Sequence, residues 1–161
     1  MGCKRVRVPL QWEASGSETM KKLLVAWEEV ARNVARSLKE GQRLAIGGKS
    51  MGGRIASMST QLEGVGALIC LGYPFHPPGK PEKLRTDHLA DIKVPAVIIQ
   101  GERDTFGNKE EVKKMHLARR IKKVWLPDGD HSFKPRKLSG RTLEQNLDLA
   151  VEKLLAFLSA C

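Results

Sequence analysis

The chain has 161 residues, with a hydrophobic fraction of 41% and a charged fraction of 29%, which suits one soluble domain with a proper core. No apolar run approaches the ~20 residues that a membrane span needs, and the basic N-terminus lacks the apolar segment of a signal peptide. We therefore expect a single domain over residues 1–161, located in the cytoplasm or, in a eukaryote, the nucleus, without membrane contact.

The net charge of +10 comes from 28 basic and 18 acidic residues. The basic residues alternate with acidic ones and lack interleaved aromatics, so a solvated basic face explains them better than specific nucleic-acid binding. Cys3, Cys70 and Cys161 form neither a CxxC motif nor a metal-ligand spacing with histidine. We expect no metal and no organic cofactor.

Helical and strand-like patterns alternate along the chain. An apolar face recurs through residues 19–40, with Ser15 and Glu18 spaced as a capping box before it and Gly41 as a stop signal after it. The later patterns are a strand at 43–47, a helix at 51–61, a strand at 67–71, a short helix at 86–90, a strand at 95–100, a helix at 109–118, a strand at 121–126 and a helix at 142–159. The apolar face of the last helix is predicted at Leu143, Leu147, Val151, Leu154 and Leu158.

This alternation over short connections is typical of a parallel sheet. The strand patterns are continuously apolar, as expected where helices cover both faces of a sheet. We predict an α/β fold, a three-layer α/β/α sandwich built around a mainly parallel sheet.

The segment 48–52, Gly-Lys-Ser-Met-Gly, lies between a predicted strand and a predicted helix. Strand, Gly-x-Ser-x-Gly and helix together are the pattern of a nucleophile elbow, in which a strained turn exposes the serine hydroxyl. Ser50 is therefore a candidate catalytic nucleophile. A phosphate-binding P-loop is excluded, because its first glycine would fall on Arg43.

An aspartate and a histidine follow two later predicted strands. Asp104 comes after the strand at 95–100, and His131 comes after the strand at 121–126. Ser, Asp and His in this order, each beyond the carboxyl end of a strand, are expected of an α/β-hydrolase triad. For the acid, Asp104 competes with Glu102, Asp128 and Asp130; for the base, His131 is favoured over His76, His88 and His116.

The loop after the strand at 67–71 contains Tyr73, Phe75 and His76 among several prolines. Because it leaves the sheet beside the elbow, these three residues are candidate substrate-binding residues. An equally good interpretation is a rigid proline-rich connector whose aromatic side chains pack inward.

Four segments of the chain resemble the dienelactone-hydrolase-like group of the α/β-hydrolase superfamily. This group includes testis-expressed protein 30 and the hydrolase-like domain of subunit 3 of the nonspecific-lethal histone acetyltransferase complex. The segments are GGKSMGGR at 47–54, LGYPFHPPGKP at 71–81, GERD at 101–104 and GDHSF at 129–133. The resemblance implies Ser50 as nucleophile, His131 as base and Asp104 as acid, with the backbone N–H of Met51 as an oxyanion donor.

The chain departs from this group at its N-terminus. Members of the group carry further strands before the first helix, and a His-Gly-x-Gly-like turn there supplies a second oxyanion donor. Here residues 1–18 precede that helix, and 5–9 resemble a remnant of one strand. The resemblance thus predicts a shortened sheet of about four or five strands, with the elbow strand exposed at an edge where another copy could pair. It also predicts a half-built oxyanion hole, and loss of one donor typically costs about 10²–10³ in rate.

The sequence therefore predicts a serine hydrolase that cleaves an ester or related acyl bond of a small-molecule substrate through an acyl-enzyme. The alternative is a weak or inactive hydrolase fold that serves as a binding or scaffold module, since fold alone does not establish activity.

Overall fold

The computed structural model describes residues 16–161, with side chains described from residue 19 onward. The predicted strand remnant at 5–9, the cap at Ser15 and the Glu18 side chain lie outside the described residues. None of the helices in residues 16–161 is long and apolar enough to cross a membrane.

Within residues 16–161, four strands form one parallel sheet in the order β1-β2-β3-β4. The elements are α1 (Gly16–Arg36), β1 (Leu44–Lys49), α2 (Met51–Met58), β2 (Val65–Leu71), β3 (Ala96–Gly101), α3 (Lys109–Val112), β4 (Ile121–Leu126) and α4 (Leu143–Ser159), with 3-10 turns at Asp87–Asp91 and Lys137–Ser139. The predicted α/β fold with a parallel sheet flanked by helices is confirmed. Within residues 16–161, no strand pairs with the outer edge of β1.

The two faces of the sheet carry separate apolar cores. One core packs α1, α2 and α3 against side chains such as Ile46, Leu68 and Ile98. The other packs α4 against side chains such as Val97 and Ile99. The β2–β3 and β3–β4 pairs have no register shift, and the β1–β2 pair has one, between Leu44 and Ala45. Each core is a continuous apolar layer, and burial of such layers is the main favourable term in folding.

Three predicted helices extend too far in the sequence-based assignment. α1 ends at Arg36, α2 at Met58 and α3 at Val112, whereas the patterns continued to 40, 61 and 118. In the third case the chain must return to the sheet: the Ala118 N–H donates to the Leu89 carbonyl at 3.1 Å, shortly before β4 begins. A tertiary bond therefore overrides the local helical pattern.

The predicted apolar face of α4 is wrong. Leu143, Leu147, Val151 and Leu158 are 40–54% exposed, and of the predicted set only Leu154 packs against the core. The buried face instead contains Asn146, Ala150 and Phe157. The Asn146 side-chain amide donates to the carbonyls of Pro127 and Phe133, at 3.1 and 2.7 Å, so a polar anchor sets the rotation of the helix.

Close contact between β1 and α2 depends on glycine. A Cβ atom built on Gly53 would lie 2.7 Å from the Gly48 carbonyl oxygen and 3.3 Å from Cys70 Cβ. A Cβ atom on the preceding Gly52 would meet no heavy atom within 4 Å. The two adjacent helical glycines therefore differ in their tolerance of a methyl group.

We expect Gly53→Ala to lower the free energy of unfolding by about 1–3 kcal/mol, because the added methyl group pushes α2 away from β1. Gly52→Ala should be neutral or raise that free energy by up to about 1 kcal/mol, because alanine favours helix. Urea unfolding of both variants beside the natural protein measures the difference, and equal effects of the two substitutions would contradict this account.

Candidate active site

Ser50 lies at the sharp turn between β1 and α2. Its backbone has φ 51° and ψ −117°, a conformation that is strained for a residue with a side chain. The Ser50 N–H donates to the Leu71 carbonyl at 2.8 Å, which ties the turn to β2. The hydroxyl does not cap α2 and is therefore free for another partner.

Ser50, His131 and Asp104 form a continuous chain of hydrogen bonds. Ser50 Oγ lies 2.9 Å from His131 Nε2, and His131 Nδ1 lies 2.8 Å from Asp104 Oδ2. A carboxylate only accepts, so Nδ1 donates to Asp104, which leaves Nε2 to accept the serine proton. The His131 side chain is 24% exposed and the Asp104 side chain is fully buried.

Gln100 holds Asp104 in place, a role that sequence analysis missed. Its Nε2 donates to Asp104 Oδ2 at 2.8 Å, and its Oε1 accepts from the Tyr73 N–H at 2.7 Å. The Phe106 N–H donates to the other carboxylate oxygen at 2.9 Å. The available signal was a glutamine in an otherwise apolar strand, since a buried amide needs partners.

The three competing acids are engaged elsewhere. Glu102 pairs with Lys109 at 2.6 Å, and Asp130 Oδ1 accepts backbone N–H groups of its own loop. Asp128 pairs with Arg136, whose hydrogen bonds lower the pKa of that carboxyl to about 2. Within residues 19–161, Asp104 is thus the carboxylate that contacts His131 Nδ1.

Three further residues surround His131. The Phe106 ring lies 4.3 Å from the imidazole, centroid to centroid, and a Cβ atom built on Gly72 would lie 3.4 Å from His131 Cε1. Lys49 Nζ donates to the His131 carbonyl oxygen at 2.7 Å. Burial lowers the pKa of Lys49, although Asp104 and Asp130 attract its charge and act in the opposite direction.

Met51 is the first residue of α2. The first backbone N–H groups of a helix have no partner inside that helix, and they favour negative charge. The Met51 N–H is thus next to Ser50 at a helix start, and its role as an oxyanion donor stays a prediction.

The candidate substrate-binding residues lie inside the protein. Tyr73 and Phe75 are fully buried, and His76 is 2% exposed. The Tyr73 hydroxyl donates to the Arg85 carbonyl at 2.9 Å, and His76 Nε2 lies 3.3 Å from a Glu111 carboxylate oxygen. These contacts favour the interpretation of this loop as a rigid connector with inward-packed side chains.

Another serine–histidine contact lies away from the elbow. His88 Nε2 lies 2.8 Å from Ser57 Oγ, and burial lowers the pKa of His88. Ser57 is 2% exposed, so its hydroxyl is shielded from any substrate. His, Cys, Asp and Glu side chains of the described residues form no group of three that could bind a metal ion.

Several solved structures have a similar fold. A serine hydrolase involved in carbazole degradation, the CarC enzyme, matches with a TM-score of 0.60 and 16% identity, over 86% of this chain and 72% of its own. An α/β serine hydrolase homologue from Coxiella burnetii matches with a TM-score of 0.63 and 20% identity, over 87% of this chain and 62% of its own. Est1E from Butyrivibrio proteoclasticus matches with a TM-score of 0.62 and 16% identity, over 87% of this chain and 71% of its own.

These identities are low, so the structural likeness establishes the fold, and the chain spans less than two thirds of the Coxiella protein. The sequence itself matches a family model described as the alpha/beta hydrolase domain, over residues 13–159. Because that match covers nearly the whole chain, the protein belongs to the α/β hydrolase domain family.

Proposed function

We propose that this protein is a serine hydrolase that cleaves an ester or a related acyl bond of a small molecule. The observation that carries the proposal is the hydrogen-bonded chain from Ser50 Oγ through His131 to Asp104, with distances of 2.9 and 2.8 Å. The strained backbone at Ser50 supports it, since such strain persists at functional sites.

The reaction would proceed through an acyl-enzyme. Ser50 Oγ attacks the carbonyl carbon while its proton passes to His131 Nε2, and the new oxyanion accepts a hydrogen bond from the Met51 N–H. The intermediate collapses, His131 returns the proton to the leaving oxygen, and the alcohol departs. Water then attacks the acyl-enzyme with His131 again as the base, which releases the acid and restores Ser50.

In this mechanism Asp104 acts through His131. A buried carboxylate hydrogen-bonded to Nδ1 fixes the tautomer in which Nε2 can accept, and it stabilises the imidazolium that forms. Gln100 and the Phe106 N–H hold that carboxylate in a single orientation. The acid is therefore positioned before substrate arrives.

We further propose that the chain is a member of the dienelactone-hydrolase-like group, which its four matching segments resemble. As further proposals, the protein works in the cytoplasm, and another copy pairs with the outer edge of β1.

A binding or scaffold module is the rival function. The exposed apolar row on α4, which includes Leu143, Leu147 and Val151, and the unpaired edge of β1 within residues 16–161 both favour it. Such a module would fold correctly and yet show no activated serine. A measurement of Ser50 reactivity therefore distinguishes the two proposed functions.

Labelling by a fluorophosphonate probe tests the reactivity of Ser50. We expect the natural protein to be labelled and Ser50→Ala to be unlabelled. We expect His131→Ala to react about 10²–10⁴-fold more slowly, because the general base is lost. Mass spectrometry of the labelled peptide identifies the modified residue.

Ser57→Ala and His88→Ala are the matched controls, because these residues make the other serine–histidine contact described. Both controls should be labelled at the natural rate. Labelling that survives Ser50→Ala, or that disappears in Ser57→Ala, would contradict the proposed site. A folded natural protein that does not react would favour the scaffold function.

Gln100→Leu tests how strongly the function of Asp104 depends on the hydrogen bond from Gln100. The change removes the donor to Asp104 and leaves the buried Tyr73 N–H without its acceptor, which should cost about 1–3 kcal/mol of unfolding free energy. The labelling rate of the remaining folded protein should also fall, because Asp104 loses one of its three donors. A destabilised variant that reacts at the natural rate would show that Gln100 supports only the fold.

A further inference from the structure

The side chain of Lys49 connects the nucleophile elbow to the loop that carries His131. Lys49 directly precedes Ser50 in the chain, and its Nζ donates to the His131 carbonyl oxygen at 2.7 Å. The same nitrogen lies 5.1 Å from the centroid of the Phe133 ring. One ammonium group thus contacts two residues of the loop after β4.

This contact spans the sheet. Lys49 ends β1 and the loop follows β4, and two strands lie between them. The hydrogen bonds inside the loop shape it without tying it to β1: Asp130 Oδ1 accepts from the N–H groups of Ser132 and Lys134 at 2.8 and 3.0 Å. Other bonds tie the loop to α4, through Asn146 and the Phe133 carbonyl, and to the turn after β3, through His131 and Asp104. The Lys49 contact adds a direct bond from the loop to the elbow strand.

The His131 carbonyl is well placed for that bond. In the described part of the chain, Lys49 Nζ is the donor that contacts this oxygen, and no backbone N–H does so. A hydrogen bond from a charged donor is roughly twice as strong as a neutral one. The Phe133 ring face adds a cation–π attraction, which grows when the cation is partly removed from water.

We propose that Lys49 is a positioning residue for the reaction, which holds the His131 loop against the elbow so that Nε2 meets Ser50 Oγ. The inference rests on the proposed function, because the group that Lys49 positions is the proposed base. Lys49 occupies the variable position of the Gly-x-Ser-x-Gly motif, so the motif alone predicts no role for it.

Lys49→Met removes the charge and the donor while keeping most of the aliphatic chain. We expect kcat for a p-nitrophenyl ester to fall by about tenfold to a hundredfold, the effect of a small misplacement of a reacting group, while KM stays unchanged. Lys49→Arg keeps a charged donor and should restore most of kcat. Lys134→Met, which removes an exposed lysine from the same loop, is the matched control and should retain the natural rate.

Recovery in Lys49→Arg is the decisive comparison, because general damage to the fold would persist in both variants. An unchanged kcat in Lys49→Met would overturn the proposal, and so would an arginine variant as slow as the methionine variant.

Hydrogen exchange gives a readout that does not need activity. We expect the backbone amides of residues 129–134 to exchange faster in Lys49→Met than in the natural protein, with no such change in Lys134→Met. Equal exchange in the natural protein and Lys49→Met would overturn the positioning role even if Ser50 is unreactive. An unlabelled natural protein whose loop nevertheless loosens in Lys49→Met would count against the proposed function alone.

Discussion

The carboxylate of Asp104 is the group on which this end of the sheet depends. A charge with no exposed surface is tolerated only where hydrogen bonds replace its water shell. Gln100, the Phe106 N–H and His131 provide those bonds, and they come from β3, from the turn after it and from the loop after β4. The need to solvate one buried charge thus brings together the segments that form the site.

The parallel sheet makes this convergence possible. The carboxyl ends of parallel strands lie on one rim, so Ser50 after β1, Asp104 after β3 and His131 after β4 meet without long excursions. The site also requires close contact between the backbone at the end of β3 and the backbone of the loop after β4. A Cβ atom on Gly101 would lie 2.3 Å from the Asp130 carbonyl oxygen, so only a residue without a side chain lets the histidine loop settle beside the strand that leads to Asp104.

The sequence predicts the fold and the order of candidate residues because both follow from local patterns. Apolar runs mark the strands, and β4 begins and ends where its pattern does, although Lys122 and Lys123 interrupt its apolar residues. The parts that escape prediction depend on contacts between distant segments. Asn146 turns α4 toward two carbonyls, and Gln100 faces a network that no period in the sequence reveals. Tyr73 can be buried because its hydroxyl donates to the Arg85 carbonyl, and its aromatic side chain alone does not indicate that this partner exists.

The long separation along the chain between the bonded residues has a consequence for folding. Ser50 and His131 are 81 positions apart, and each strand pair needs a crossover connection before it can close. Non-local pairings form late, because the entropy of closing long loops must be overcome before the contacts stabilise the chain. The helices can form early, whereas the imidazole meets the serine hydroxyl only after β1, β2, β3 and β4 are aligned. A reactive Ser50 would therefore mark the completion of folding, and Ser50 would be unreactive in partly folded chains.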